Sequence, residues 1–492
     1  MKKMVERSPS ILPIESKLKL RLLEEDEISK IHETTLGILE NTGVSFPSQK
    51  ALEIFADAGA TVDFKSHIVK LPHDMVMGYV KKAPRYYRLA ARGGRELDLT
   101  LNHKQTFFST SSTAVTTVDL KTGEKRATCK EDVAMMATII DFLPSVSFYY
   151  GPLASAQDKG KTAPLHELDA AFNNTEKHFM AETLIGGNLA RFAIEMASII
   201  AGGKRNLRQS PILSALICTL APLGQDRESI ESALVLAEAG IPVGFMSMPT
   251  LGITAPASLA AALVVGMAEI LSSVVLLQIA YPGAPVFSSL GPGTIDPRSG
   301  EYFYGSSFAQ ITNAAAIQLS HFYGIPIFAG ASFGGSGYEL DRWQVGRENV
   351  YLPLLSILLG AEMALGLGLM DAATLLYPER VLFDHEMTQC ISQISAGIEV
   401  NAETLARDMI SQVGPRGHYL GEHHTRENLP TLWPSSILTE KSHQKGQRFR
   451  NPREVAREQV EWILKNHKPS PLDEKVKAEM EKLLETAEKE IG

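Results

Sequence analysis

The sequence predicts a (β/α)8 barrel with an N-terminal helical segment and a C-terminal helical extension. Three observations favour this fold class. Short β-prone runs alternate with long helical patterns from residue 105 to about residue 400. Eight strand–helix units can be counted there. Together they span about 290 residues, which is the length that a closed barrel of this kind occupies.

The segment 1–104 is predicted to be helical first and irregular afterwards, and to pack on the barrel. Asp26–Thr42 has the apolar spacing of an amphipathic helix, and Gly43 supplies a stop signal after it. Ser48–Ala58 reads as a second helix. Two short β-like pieces, His67–Leu71 and Tyr87–Ala91, follow before the regular alternation begins.

The region 105–400 carries the predicted barrel. No G-x-G-x-x-G motif follows its first strand, so the open dinucleotide-binding sheet is the weaker alternative. The predicted strands are Gln105–Ser109, Val146–Gly151, His178–Glu182, Ile212–Ile217, Val243–Ser247, Val286–Ser289, Ile325–Ala329 and Ala373–Leu376. The predicted helices are Lys130–Phe142, Leu165–Asn174, Ala190–Ala201, Arg227–Ala239, Leu259–Ile279, Ser307–Phe322, Glu348–Leu365 and Asp384–Ala396.

The segment 401–492 is predicted to form a helical extension of the barrel. It begins with a helix at Glu403–Val413, continues through a stretch rich in Gly, Pro and His, and ends in two charged helices at Pro452–Lys465 and Leu472–Ile491. Lys and Glu lie three and four residues apart in the last helix, so its exposed face can carry ion pairs.

Composition excludes several classes of protein. A net charge of −8 spread along the chain argues against nucleic-acid binding. The basic stretch Lys441–Arg450 is soon followed by acidic residues and is interpreted as a solvated connector, with a docking patch for an acidic protein partner as the alternative. Three widely spaced cysteines do not form a disulfide framework, which favours a reducing compartment. The charged N-terminus has no continuous apolar stretch of the kind that secretory signals contain, and a cytoplasmic location is therefore expected.

The apolar stretch from Pro256 to Tyr281 is long enough to cross a membrane. Glu269 lies at its middle, however, where a charge is costly in lipid. A helix buried on all sides is the better interpretation, and no membrane span is expected. An outer barrel helix without a polar face must be covered by something. We expect a second subunit to cover it, and hence a homo-oligomer.

Active sites of such barrels lie at the C-terminal ends of the strands. The predicted strand ends are rich in aromatic and hydroxyl side chains and poor in nucleophile–base pairs. Aromatic faces attract a quaternary ammonium, although the same rings can simply fill the barrel. His418, His423 and His424 lack the H-E-x-x-H spacing, so no tightly bound metal is expected. A single G-x-S-x-G match at residues 330–334 is weak evidence for hydrolysis.

Three stretches, read in order, resemble one known family. They are His166–Thr183, the Gln344-x-Gly346-x-Glu348 pattern and His418–Thr425. The chain is similar in these stretches to the corrinoid-dependent trimethylamine methyltransferases. That resemblance implies methyl transfer from an amine to the Co(I) corrinoid of a separate partner protein.

The resemblance departs from the archaeal trimethylamine enzymes at one feature. Those enzymes carry pyrrolysine near the loop after strand seven, whereas this sequence has Arg342–Trp343–Gln344 in the corresponding region. The chain is therefore similar to the pyrrolysine-free glycine betaine methyltransferases. A quaternary amine leaves as a neutral tertiary amine, which needs no acid, so catalysis by positioning is expected.

The predicted substrate site combines an aromatic cage with polar groups. The carboxylate of Glu182 is a candidate to face the cation, and Arg347 and His385 are candidates to hold a substrate carboxylate. No catalytic residue is assigned. Two alternatives stay open, a non-catalytic quaternary-amine-binding protein and a zinc-dependent corrinoid methyltransferase. The predicted cage residues are Phe148, Tyr149, Phe333, Tyr338 and Trp343.

Overall fold

Eight parallel strands form a barrel at the centre of the structure, a computed structural model. It describes residues 7–300, 302–303, 306–331, 343–371, 373–432, 436–437, 440–442 and 448–492. The barrel strands are β1 (Phe107–Thr110), β2 (Phe148–Tyr150), β3 (His178–Ala181), β4 (Leu213–Cys218), β5 (Val243–Ser247), β6 (Val286–Leu290), β7 (Phe328–Ala331) and β8 (Met363–Leu367).

The strands are hydrogen-bonded in the order β6-β5-β4-β3-β2-β1-β8-β7. A parallel bridge between Ser288 and Ile327 joins the two ends of this sheet, so the barrel closes between β6 and β7. The predicted barrel fold is confirmed. We call the carboxyl-terminal end of the strands the upper end and the amino-terminal end the lower end.

Helices follow every barrel strand and form the outer layer. Most predicted helices are present with bounds shifted by a few residues. The helices N-terminal to the barrel are α1 (Glu25–Asn41), α2 (Gln49–Asp57) and α3 (His73–Val80). Those of the outer layer are α4 (Lys130–Phe142), α5 (Ala163–Asn174), α6 (Gly187–Ala201), α7 (Lys204–Gln209), α8 (Arg227–Ala239), α9 (Leu259–Ala280), α10 (Ser307–Tyr323), α11 (Trp343–Leu359) and α12 (Arg380–Ala396).

The C-terminal extension begins with short helices and ends with two longer ones. The predicted helix at Glu403–Val413 is interrupted at Ala406, which has a left-handed backbone (φ 44°). The helices are α13 (Ala402–Leu405), α14 (Arg407–Val413), α15 (His423–Leu432), α16 (Pro452–Asn466) and α17 (Glu474–Ile491).

The prediction of the eighth strand was wrong. Strand β8 is Met363–Leu367, and the predicted helix Glu348–Leu365 overlaps its first three residues. Gly360, with a φ of 77°, ends the preceding helix and frees the next residues to pair. The predicted strand residues Leu375–Leu376 pair instead with Thr116–Val118 in a small separate sheet outside the barrel.

The lower end of the barrel is closed by a hairpin from the N-terminal segment. Its strands, Tyr87–Leu89 and Leu99–Leu101, are antiparallel. Leu89, Leu99 and Leu101 are fully buried and belong to one cluster with the barrel interior. That interior contains Phe107, Phe148, Tyr150, Met180, Leu216, Met246, Phe287, Phe328, Met363 and Leu365. The lower part of the barrel is thus a packed core, and the candidate site lies at its upper end.

Helix α9 is the apolar helix that resembles a membrane span, and most of it is buried in the structure. Helices α1, α2 and α3 pack against its outer side. The chain therefore covers this helix with its own N-terminal segment. The reason given for expecting a second subunit there is wrong, since the missing polar face is explained within one chain.

Glu269 lies in the middle of α9 with both carboxylate oxygens satisfied. One oxygen accepts hydrogen bonds from Thr219 Oγ1 (2.5 Å) and Ser247 Oγ (2.6 Å), and the other accepts from Leu223 N (2.8 Å). Burial raises its pKa. These bonds connect α9 to the ends of β4 and β5, which explains how a carboxyl group is tolerated in so apolar a helix.

A network of buried polar groups attaches the C-terminal extension to the lower part of the barrel. His467, after α16, lies with its Nε2 atom 2.8 Å from Asp141 Oδ2. Next to it the buried ammonium of Lys177 donates to three main-chain carbonyls around the end of α4, those of Ile140 (2.8 Å), Leu143 (2.8 Å) and Val146 (2.6 Å). Carbonyls that a helix end leaves unpaired are thus satisfied.

Candidate active site

The carboxylate of Glu182 lies at the upper end of the barrel, directly after β3. Ser112 Oγ donates to it at 2.6 and 2.8 Å, and Thr113 Oγ1 donates at 3.1 Å. The hydroxyl of Tyr150 also hydrogen-bonds to it. Residues at or directly after the upper ends of β1, β2 and β3 therefore converge on one acidic group.

Two opposing effects set the pKa of Glu182. Burial raises it, whereas the hydrogen bonds from Ser112, Thr113 and Tyr150 lower it, and burial is the larger effect. The pKa of the carboxyl group is therefore above its usual value. A cation entering the site would reverse this, because an opposite charge nearby stabilises the carboxylate form.

Aromatic and sulfur-containing side chains lie below and beside Glu182. The ring of Phe328 is surrounded by those of Tyr150, Phe148 and Phe287, with centroid distances of 4.8, 5.7 and 6.4 Å. The half-buried Cys218 lies near enough to Glu182 for the carboxylate to contribute to its raised pKa of about 12, which is due mainly to burial. Cys218 is thus a neutral thiol and part of an apolar wall.

A second carboxyl group, Glu167 on α5, lies behind Glu182. Its oxygens accept hydrogen bonds from Ala156 N (3.0 Å) and Thr183 Oγ1 (3.2 Å). Burial raises its pKa to about 7, and the charge of Glu182 adds to the shift. Glu167 thus connects the loops after β2 and β3, and its carboxyl group interacts electrostatically with that of Glu182.

Replacing Glu167 with glutamine is expected to flatten the pH dependence of stability. A carboxyl whose pKa rises on folding binds more protons in the folded state, so its contribution to stability falls as pH rises from its unfolded pKa towards 7. We expect the unfolding free energy of the native protein to fall in this window by about 3 kcal/mol more than that of Glu167→Gln. Urea denaturation from pH 5 to pH 8 measures this. Parallel curves would contradict it.

The structure separates the predicted aromatic residues into different groups. Phe148 faces the barrel interior, one layer below Tyr150, and is fully buried. Tyr149 was a wrong choice for the cage, because neighbouring strand residues face opposite sides. Its ring packs outside the barrel against Phe179, and its hydroxyl donates to the carbonyl of Pro152. Tyr150, which was not predicted, is the ring that reaches Glu182.

His385 was also a wrong choice for holding a substrate carboxylate. It lies half-buried on α12 in the outer layer, with its Nδ1 atom 2.6 Å from Ser145 Oγ at the lower end of the barrel. Burial lowers the pKa of His385 most, and the nearby charge of Lys177 lowers it further. Its pKa is about 4. A neutral imidazole at the wrong end of the barrel cannot bind an anion at the site.

The remaining predicted site residues follow β7. Phe333 and Tyr338 lie outside the described residues. Trp343 and Arg347 fall on α11, of which the structure describes only the backbone at these two positions. Their contribution to a cage or to carboxylate binding stays a prediction.

The residues that sequence reasoning missed are Tyr150, Ser112 and Thr113. The alternation of side chains in a strand offered a signal for Tyr150, since it faces the same side as Phe148. Ser112 and Thr113 stood in the hydroxyl-rich stretch after the first strand, but no local pattern indicated which residue they would contact. Within the described residues, a group of three ligating side chains occurs at the lower end of the barrel and not beside Glu182.

Comparison with known proteins places this geometry in a family. The family model described as trimethylamine methyltransferase matches residues 3–492. The trimethylamine methyltransferase MttB of Desulfitobacterium hafniense is 32% identical over 470 residues, covering 95% of this chain and 94% of the relative. A glycine betaine methyltransferase of the same species is 30% identical and covers 96% of this chain and 98% of the relative.

A solved structure gives the same fold. The crystal structure of the Methanosarcina barkeri monomethylamine methyltransferase MtmB superimposes with a TM-score of 0.53 at 12% identity, covering 92% of this chain and 90% of that chain. At this low identity the match supports the barrel architecture alone.

Proposed function

Because the chain belongs to the trimethylamine methyltransferase family, we propose that it moves a methyl group from a quaternary amine to the Co(I) corrinoid of a partner protein. Glycine betaine is our first choice of substrate. The proposal depends above all on the carboxylate of Glu182, held by three hydroxyl groups at the upper end of an aromatic-lined barrel. The glycine betaine methyltransferase relative supports the same substrate class.

The proposed role of the site is to bind and orient the cation. Glu182 supplies a negative charge, and the face or edge of Tyr150 supplies apolar contact beside it. Aromatic rings and a carboxylate together select a methylated ammonium group over a neutral amine. The hydroxyls of Ser112 and Thr113 hold the carboxylate in one position, so the cation is bound in one orientation.

The proposed methyl transfer needs no acid or base to protonate or deprotonate the reacting groups. As the C–N bond breaks, nitrogen keeps the electron pair and becomes a neutral tertiary amine. A Co(I) corrinoid bound to the partner protein would accept the methyl group and would supply the electron pair for the new bond to carbon. The protein has to align one methyl group of the amine with the upper end of the barrel and to exclude water there, which is catalysis by positioning.

A demethylation assay tests the proposed function. The full-length protein is incubated with reduced cobalamin and with glycine betaine, proline betaine, carnitine, tetramethylammonium or trimethylamine. We expect loss of glycine betaine with equimolar formation of dimethylglycine. Binding of betaines without consumption would identify a binding protein. Consumption of trimethylamine alone would overturn the quaternary-amine assignment, and neither binding nor consumption would overturn the whole proposal.

Two neighbouring tyrosines offer a matched test of the site. Tyr150→Phe removes a hydrogen bond to Glu182, and we expect the KM for the amine to rise about tenfold, as for the loss of a bond to a charged group. Tyr149→Phe removes a hydroxyl that bonds outside the barrel to Pro152. It should leave KM unchanged. Steady-state kinetics compare the two, and equal effects would contradict the placement of the site.

We also propose that the protein acts in the cytoplasm and as a homo-oligomer. Exposed apolar side chains around α13 and α14 support an oligomer, because these helices bury none of their residues. Ile398 is 86% exposed and Val400 is 70% exposed. Light scattering of the native protein and of Ile398→Ser with Val400→Ser measures this. A monomer in both would contradict it.

A further inference from the structure

Three potential metal ligands converge at the lower end of the barrel, away from Glu182. His103, His321 and Glu362 each offer one ligand atom, and these atoms all lie within 4.8 Å of one another. His103 Nδ1 pairs with Glu362 Oε1, and His321 Nε2 lies 3.2 Å from the same oxygen. His103 is more than two hundred positions away from both His321 and Glu362 in the chain. Only the fold brings these residues together.

Each ligand comes from a different part of the structure. His103 lies between the hairpin that closes the barrel and β1, His321 lies in the last turn of α10, and Glu362 directly precedes β8. His103 has a left-handed backbone (φ 59°), which is unfavourable for a residue other than glycine. Such a conformation is retained where surrounding contacts require it, and often where a residue has a binding role.

The carboxylate of Glu362 needs a positive partner. Its side chain is completely buried, and Oε2 accepts a hydrogen bond from Ile327 N at 2.9 Å. His103 Nδ1 and His321 Nε2 also contact this carboxylate, the latter at 3.2 Å from Oε1. A buried ionised carboxylate is stable only when it is paired or coordinates a metal.

The two imidazole rings lie next to each other at the carboxylate, with their centroids 4.6 Å apart. A divalent cation bound between their nitrogens and the carboxylate oxygen would balance the buried negative charge. Two imidazole nitrogens and one carboxylate oxygen form a donor set that zinc and similar transition metals use.

Solvent access completes a site of this type. The side chains of His103 and His321 are 22% and 25% exposed, so these two residues form the solvent-facing side of the site, whereas the His103 Nδ1 atom is itself buried. The part-exposed rings can also turn to admit an ion at zinc–nitrogen distances of about 2.0–2.1 Å. The buried Glu362 is held by the main chain and would form the fixed side of the site.

We propose that His103, His321 and Glu362 bind one divalent transition-metal ion of the zinc type. The ion fastens the closing hairpin of the N-terminal segment to α10 and β8 of the barrel. Its role is structural, because it lies at the end of the strands opposite Glu182. The proposal is independent of the methyl-transfer reaction and of its substrate.

Metal titration of the untagged, full-length protein tests the site. After dialysis against a chelator, we expect one equivalent of Zn²⁺ to bind and to raise the melting temperature. Cobalt(II) should bind with the visible absorption of a four- or five-coordinate ion. His321→Asn and Glu362→Gln should each weaken zinc binding by more than about 100-fold. Loss of a residue that only hydrogen-bonds to a metal ligand has a smaller effect, of about 10- to 100-fold.

A second pair of histidines provides the control. His32 and His73 are also neighbours, with ring centroids 5.9 Å apart. His73→Asn should bind zinc as the native protein does. Zinc binding that is unchanged in His321→Asn, or absence of micromolar binding by the native protein, would overturn the proposal. Because the native protein alone gives the cobalt spectrum and the stoichiometry, a variant that fails to fold does not remove the test.

Discussion

Replacing Glu182 with glutamine is expected to raise the KM for the amine about 100-fold and to leave kcat within a few-fold of the native value. The carboxylate attracts the cation with about 4 kcal/mol at 4 Å in a partly solvated site. Desolvation offsets part of this energy. Because nitrogen loses its charge during transfer, the attraction stabilises the bound substrate more than the transition state, and its loss appears in KM.

A half-buried carboxylate elsewhere is the control for Glu182→Gln. Glu386 on α12 also accepts hydrogen bonds from a hydroxyl, that of Ser436, and from a main-chain amide, Ile437 N at 2.6 Å. Glu386→Gln should leave KM unaltered. A fall in kcat with constant KM in Glu182→Gln would show that the carboxylate acts in the chemical step, and would contradict a role in cation binding.

The pH dependence of binding follows from the same group. Burial raises the pKa of Glu182 above its usual value, and only the ionised carboxylate attracts a cation. The KM for a quaternary amine should therefore rise as pH falls towards the pKa of this group. The dependence should disappear in Glu182→Gln, which steady-state kinetics at several pH values can measure.

Replacing Lys177 with methionine is expected to lower the free energy of unfolding by about 4 kcal/mol. The buried ammonium donates to three carbonyl oxygens near the end of α4. Methionine fills similar space but leaves those oxygens buried without their donor. Denaturant titration at neutral pH, followed by circular dichroism, measures the change.

An exposed lysine with a similar contact is the control for Lys177. Lys468 donates to the carbonyl of Leu464 at the end of α16, at 3.2 Å. Water replaces its ammonium at no great cost, so Lys468→Met should change stability by less than about 0.5 kcal/mol. Equal changes in the free energy of unfolding of the two variants would show that the stabilisation by Lys177 does not depend on burial of its ammonium group.

The alternation of strands and helices could be predicted because it is a local pattern. Seven barrel strands were located from it, since β-branched and aromatic runs were bounded by turn residues. The eighth, Met363–Leu367, consists of residues that favour helices about as well, and its neighbour Gly360 was the one stop signal. The sheet overrides this propensity, because Met363 pairs with Phe107 and joins β8 to β1.

The candidate site could be predicted in location but not in composition. Glu182 was placed at a strand end by the barrel fold alone. Whether Tyr149 or Tyr150 faces the barrel interior depends on the register of β2 with its neighbouring strands, and no local sequence pattern determines that register. Convergence of His103, His321 and Glu362, and the covering of α9 by residues far ahead of it, depend on long-range contacts that no local pattern contains.

The hairpin that closes the lower end of the barrel has a kinetic consequence for the proposed reaction. In the proposed reaction the amine and the corrinoid protein both use the upper end, beside Glu182. A corrinoid protein docked there would cover this end, so the amine would have to bind first, and the demethylated product would leave only after the corrinoid protein departs. Turnover should therefore follow a compulsory order, in which a large excess of corrinoid protein slows the reaction by blocking entry of the amine.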